Sequence, residues 1–333
     1  MLKKKVFLDC DPGHDDAFAI MLAAANTELL GITTVGGNGV LENVTRNALK
    51  VLEVIGRTDI PVAAGCDRPM VAPLVTAANV HGESGMDGPD LPEPTAKPLD
   101  KHGVDFMIET LLAHEDVTLI AVGPLTNVAM ALRREPAIKQ HIREISIMGG
   151  GLYCGNWTPA AEFNIFVDPE AASVVFNSGV HVKMSGVNLT RQCRIRKADR
   201  EVLRSFGNRT GAFAADLLDF FTHEYPGLEL HSGSMLHDAC AVAWVIDEQI
   251  VQGAALHVDG ELTGTLTRGM TVCDFRHLQT YMPDVDVDLG SPFTNDSDED
   301  PQFRGKAPNA EVGVRFDLER FKQLFFNTFR AYS

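Results

Sequence analysis

The stretch K4-K-V-F-L-D-C-D-P-G-H-D-D-A-F-A-I-M-L-A-A-A-N26 decides how the chain is read. An apolar run (Val6, Phe7, Leu8) reads as a strand, Pro12-Gly13 as a turn, and Asp15 to Asn26 as a helix. Four carboxylates (Asp9, Asp11, Asp15 and Asp16) fall within eight positions where strand gives way to helix. Alternation along the strand puts Asp9 and Asp11 on the same side of its end. Neither stays ionised easily in a dry pocket without a cation, and a hard divalent ion with oxygen ligands, calcium or magnesium, is the simplest neutraliser. Taken singly, Asp15 or Asp16 is equally well explained as a favourable charge at the positive end of a helix dipole.

The same strand-then-helix rhythm repeats outward from this stretch. "LLGITTVGG" precedes "LENVTRNALKVLEVIG", "DVTLIAVG" precedes "TNVAMALRRE", and "IREISIMGG" precedes "DPEAASVVFNSG", where Asp168, Pro169 and Glu170 make a helix start. This alternation predicts βαβ units: one large α/β domain over 1–333 with a mainly parallel, doubly wound, Rossmann-like sheet flanked by helices. Helices are expected at "GAFAADLLDFFTHEY" and "HDACAVAWVID", and a last strand and helix at "AEVGVRFDLERFKQLFFNTF". Residues 276–308, acidic and rich in turn formers, read as a surface insertion.

Composition narrows the function. With 333 residues, 45% of them hydrophobic, the chain can bury a large core. A formal net charge of −16 disfavours nucleic acid, whose binding relies on lysine and arginine neutralising phosphates. After "MLKKK" only Val6, Phe7 and Leu8 precede Asp9, far short of the roughly 7 to 15 apolar residues of a signal-peptide core, and no membrane span is visible. Six cysteines without a C-x-x-C pair read as reduced thiols, with neither disulfides nor zinc expected. A cytoplasmic protein that takes a small neutral substrate, or a cation, fits these limits. The EF-hand loop fails, because Gly13 and His14 take its fifth and sixth positions. A phosphatase of the haloacid dehalogenase type expects Thr or Val where Gly13 stands, and neither "VGGNGV" nor "MGGGLYCG" fits G-x-G-x-x-G. The phosphatase is kept as one alternative, and a non-catalytic binder of calcium or a small molecule as another.

"DCDPGHDDA" resembles the N-terminal signature of the inosine-uridine type nucleoside hydrolases. In the same order follow "TTVGGN" with Asn38, "HGESGM" with His81, "GPLTN" with Thr126, "MGGG" with Met148, "AEFNIFVDPEAA" with Glu162, Phe163 and Asn164, and "HDACAVA" with His237 and Asp238. The resemblance implies a calcium-dependent enzyme that cleaves the N-glycosidic bond of a ribonucleoside to free base and ribose. It also implies a homo-oligomer, dimer or tetramer. By that likeness Asp11, Asp16, Asp238 and the Thr126 carbonyl hold the ion, and Asp11 is the general base. Asp15, Asn38, Asn156, Glu162 and Asn164 clamp the ribose, with Phe163 in the same motif and Met148 and His81 nearby. His237 is the expected leaving-group acid, although calcium and Asp238 would move its pKa in opposite directions. Trp157, His223 and Tyr225 are aromatic candidates for the base pocket, and His14 receives no role.

Overall fold

The computed structural model describes residues 3–77, 80, 82, 84–89, 91–222, 233–275 and 306–332. Most of the proposed insertion, and with it His81, His223 and Tyr225, lies outside the described residues. Its centre is an eight-stranded sheet in the order β3-β2-β1-β4-β5-β6-β12-β9. The strands are β1 (Lys5–Cys10), β2 (Glu28–Thr34), β3 (Val62–Ala64), β4 (Val117–Ala121), β5 (Ile142–Met148), β6 (Val182–Ser185), β9 (Val251–Leu256) and β12 (Ala310–Phe316). Pairing is parallel except at one edge, where β9 runs antiparallel to β12. Two short pairs lie outside this sheet: β7 (Arg194–Ile195) with β8 (Ser234–Met235), and the hairpin β10 (Val258–Gly260) with β11 (Thr271–Cys273).

Among the described residues eleven α-helices connect these strands: α1 (His14–Asn26), α2 (Leu41–Val54), α3 (Gly103–Ala113), α4 (Thr126–Arg134), α5 (Phe163–Val167), α6 (Pro169–Phe176), α7 (Val187–Thr190), α8 (Lys197–Ser205), α9 (Arg209–Phe221), α10 (His237–Ile246) and α11 (Leu318–Ala331). Alternation along the strands feeds both faces of the sheet. Val6 and Leu8 join α1, α2, α9, α10 and α11 in one core, while Phe7 joins α3, α4 and α6 in the other. His14 through Ala24 are all buried, which explains why α1 is apolar nearly all round.

The chain runs outward from β1 to β2 and β3, then returns to place β4 on the other side of β1. Between β1 and β4 the winding reverses, and in open α/β sheets the ligand crevice lies off the carboxyl ends of the strands at that point. The acid turn leaves β1 and Thr126 follows β4, so both stand at this crevice. Asp168 caps α6 by accepting from Ala171 N at 3.0 Å, with Pro169 in the first turn, as its sequence predicts. All six cysteines are free. Among the described residues no helix is long and apolar enough to cross a membrane.

Candidate active site

The acid turn is built by its own backbone. Asp16 accepts from Asp11 N at 3.1 Å and Gly13 N at 2.9 Å, closing the first turn of α1. The turn after β2 locks onto it. Asn38 N donates to Asp11 Oδ2 at 2.7 Å, and Asn38 Nδ2 reaches Asp11 O at 3.2 Å and Asp16 Oδ2 at 3.1 Å. Glycines are needed on both flanks: a Cβ on Gly37 would lie 2.1 Å from Asp11 Oδ2, and one on Gly123 would lie 2.6 Å from Asp11 Oδ1. Asp11 Oδ1 is itself buried with no hydrogen-bond partner.

Asp238, in the first turn of α10, completes the group. Oxygens of Asp15, Asp16 and Asp238 lie within 4.8 Å of one another, and the charge of the same Asp16 acts on Asp11. All four side chains are buried, and among the described residues no lysine or arginine is ion-paired with them. Burial, followed by the charge of Asp16, pushes the Asp15 pKa up to about 8. Burial likewise raises Asp11, Asp16 and Asp238, with neighbouring carboxylates adding to the rise in Asp11 and Asp238. Helices α1 and α10 both aim their N-termini at the group, which favours anions there but does not neutralise four of them. The arrangement fits a hard cation: the donors are all oxygen, and one buried carboxylate oxygen lacks a partner.

Asp9 stands apart from this group. Its Oδ1 accepts from Thr33 Oγ1 at 2.6 Å and Asn127 Nδ2 at 2.8 Å, while Oδ2 is buried without a partner and burial lifts its pKa to about 7. Asn127 also donates to Thr34 O and accepts from Cys66 N, so it ties the start of α4 to β1 and β2. Thr126 Oγ1 donates to Asp168 Oδ2 at 2.6 Å.

The opposite wall comes from α5. Glu162 caps it, accepting from Asn164 N at 3.0 Å, Gly150 N at 2.9 Å and Ile165 N at 3.3 Å; burial nonetheless raises its pKa to about 7. Asn164 Nδ2 donates to Val122 O at 2.8 Å and Met148 O at 3.0 Å, with Met148 Sδ at 3.5 Å, bridging the ends of β4 and β5. Asn156 is exposed and accepts from Phe163 N at 2.9 Å, and Trp157 packs edge-on against the Phe163 ring at 5.0 Å.

His237 stands beside Asp238, with Nδ1 2.6 Å from Thr190 Oγ1. Burial, then Arg191 and Arg194, lowers its pKa to about 4, so the ring is neutral at pH 7. His14 turns away from the carboxylates: Nε2 lies 2.7 Å from Asp87 O, and the ring stacks on Phe220 and Phe221.

The chain matches the inosine-uridine preferring nucleoside hydrolases over residues 6–323. It belongs to that family. The pyrimidine-specific ribonucleoside hydrolase RihA of Escherichia coli K12 is 46% identical over 297 residues, covering 85% of this chain and 94% of that protein. A purine-preferring ribonucleoside hydrolase from Gardnerella vaginalis superposes with a TM-score of 0.84 at 30% identity, over 99% of both chains. An inosine-guanosine nucleoside hydrolase does so with a TM-score of 0.84 at 26% identity, over 100% of both. This hydrolase therefore cleaves the N-glycosidic bond of ribonucleosides, and the phosphatase and non-catalytic readings fall away. Sequence reasoning missed the braces behind the site: Asp9 with Asn127 and Thr33, Asp168 under Thr126, and Thr190 on His237. The motifs "DCDPG" and "GPLTN" contain Asp9 and Asn127, but nothing in their spacing shows that the two meet.

Proposed function

We propose that the hydrolase is calcium-dependent and prefers pyrimidine ribonucleosides. One observation carries the base preference: identity is 46% to the pyrimidine-specific relative and 30% to the purine-preferring one. Asp11, Asp16, Asp238 and the Thr126 carbonyl would hold the ion. Calcium, when bound, supplies a double positive charge that keeps the carboxylates ionised and orders water and ribose hydroxyls beside them.

The remaining work falls to the chain itself. Asp11 takes the proton of the attacking water at Oδ1, the oxygen left without a protein partner. Asn38 acts through Asp11 and Asp16, since its amide is bonded to both. Asp15, Glu162 and Asn164 hold the ribose, and the two carboxylates steady the positive charge that develops as the sugar flattens. Met148, Asn156 and Phe163 frame that wall. His237, neutral at pH 7, offers the departing base a hydrogen bond instead of a stored proton. A pyrimidine, which has no purine-type ring nitrogen to protonate, tolerates that best. The same reading makes the enzyme a cytoplasmic homo-oligomer, dimer or tetramer.

Release of reducing sugar from uridine, cytidine, inosine and guanosine, with and without chelator, tests the proposal. The pyrimidine nucleosides should exceed inosine in kcat/KM by at least about tenfold. Inosine as the best substrate would overturn the base preference, and full activity after exhaustive chelation would overturn the metal.

A further inference from the structure

The hairpin β10–β11 grips the sugar-side wall from outside. Thr271 is 2% exposed; its Oγ1 accepts from Gly151 N at 2.8 Å and donates to Gly151 O at 2.7 Å. This one hydroxyl satisfies both backbone groups of a residue in the glycine turn that follows β5. Gly150, just before it, has φ +73°, and its N–H holds the Glu162 carboxylate. A Cβ on Gly150 would sit 2.6 Å from Thr271 Cγ2, so turn and threonine are in close contact. The hairpin loop grips the next layer as well. A Cβ on Gly269 would lie 2.7 Å from Phe166 Cα in α5, and Arg268 Nη2 pairs with both Glu170 oxygens at 2.8 and 3.0 Å in the first turn of α6.

We propose that this hairpin orients Glu162 and Asn164, with Thr271 as the positioning residue. It acts on substrate only through Gly150 and Gly151, the turn that holds Glu162, and through the bond from Asn164 N to Glu162 that sets Asn164. The proposal rests on the reading that Glu162 and Asn164 hold the ribose. Such contacts tighten in the transition state, so loosening the turn that aims them lowers kcat more than it raises KM.

Thr271→Val removes the hydroxyl and keeps the shape, whereas Thr271→Ser keeps the hydroxyl. On uridine, Thr271→Val should lower kcat about tenfold with KM changed by less than about twofold, and Thr271→Ser should stay within about twofold of the parent. Arg268→Ala, which frees the hairpin from Glu170 without touching the buried turn, should lower kcat about threefold and serves if the valine variant does not fold. In the Asn164→Ala background Thr271→Val should add little, because both act on one corner. Parental kcat in both Thr271→Val and Arg268→Ala, or a full additional loss in the double variant, would overturn the role of the hairpin. Parental kinetics of Asn164→Ala alone would instead overturn the ribose reading beneath it.

Discussion

Calcium should stabilise this hydrolase far more at about pH 8 than at about pH 5. In the metal-free protein burial and Asp16 raise Asp15 from 3.8 to about 8, and the three neighbouring carboxyls shift the same way. The folded chain then keeps protons that the unfolded chain has released. A raised carboxyl pKa contributes stability that is fully present below the unfolded value and is lost as pH climbs through the folded one, here between 3.8 and about 8 for Asp15. Raising one carboxyl from 3.8 to about 8 corresponds to about 6 kcal/mol. Two unit charges 4.8 Å apart, repelling in an effective dielectric near 20, cost about 3.5 kcal/mol, which is the same order. Bound calcium would remove that loss by letting the ligands ionise, and would have to displace their protons at low pH. At a concentration about 100 times its dissociation constant it adds about 2.7 kcal/mol. An unfolding entropy of about 2.1 cal/mol/K per residue over 333 residues converts this to a rise in Tm of about 4 °C. Scanning calorimetry with calcium or chelator at both pH values checks the sign: about 4 °C or more at the higher pH and about 1 °C or less at the lower. Equal shifts at the two pH values, or none, would refute the reasoning.

Asp11→Asn keeps an oxygen ligand and removes the proton acceptor, so kcat should fall by at least about 10² while calcium still raises the Tm; near-parental turnover would exclude Asp11 as the base. Gly37→Ala would drive a methyl to 2.1 Å from Asp11 Oδ2 and should abolish activity, whereas Gly39→Ala, whose nearest contact would be 3.5 Å, should stay close to the parent in the same sugar-release assay. Lys183→Met strands the buried Glu144 that Lys183 contacts at 3.0 Å, and denaturant unfolding should show a loss of about 3 to 5 kcal/mol, largely recovered when Glu144→Leu is added.

What could be read before the structure was what local pattern encodes. The strand, turn and helix of residues 4–26, the Asp168 cap and the later βα pairs carry period, cap and turn signals within a dozen residues of one another. The order of the motifs marks Asp16 and Asp238 as metal ligands, and the fold brings their oxygens together with one from Asp15, which the same motifs mark as a ribose clamp. The three-residue β3 and helix α3 lacked a strong pattern and were not named. Neither was the hairpin: Thr271 stands 120 positions from the glycine it holds, and no local rule links them. The pKa of His237 was equally out of reach, because it depends on burial and on Arg191 and Arg194, which reach the ring only through the fold.

Helix α1 has no water-facing side along its first eleven residues, and Asp15 and Asp16 ride on its first turn. Most soluble helices can roll or slide slightly on their wet face to absorb a change in the core. This one is wedged between the sheet and its neighbouring helices, with Ala17, Ala19, Ala23 and Ala24 buried, so a methyl group added there should shift the carboxylates as well as cost stability. Stability and turnover are thus one mechanical quantity in this part of the molecule. Selection for a different nucleoside finds no slack in the rod that carries the acids.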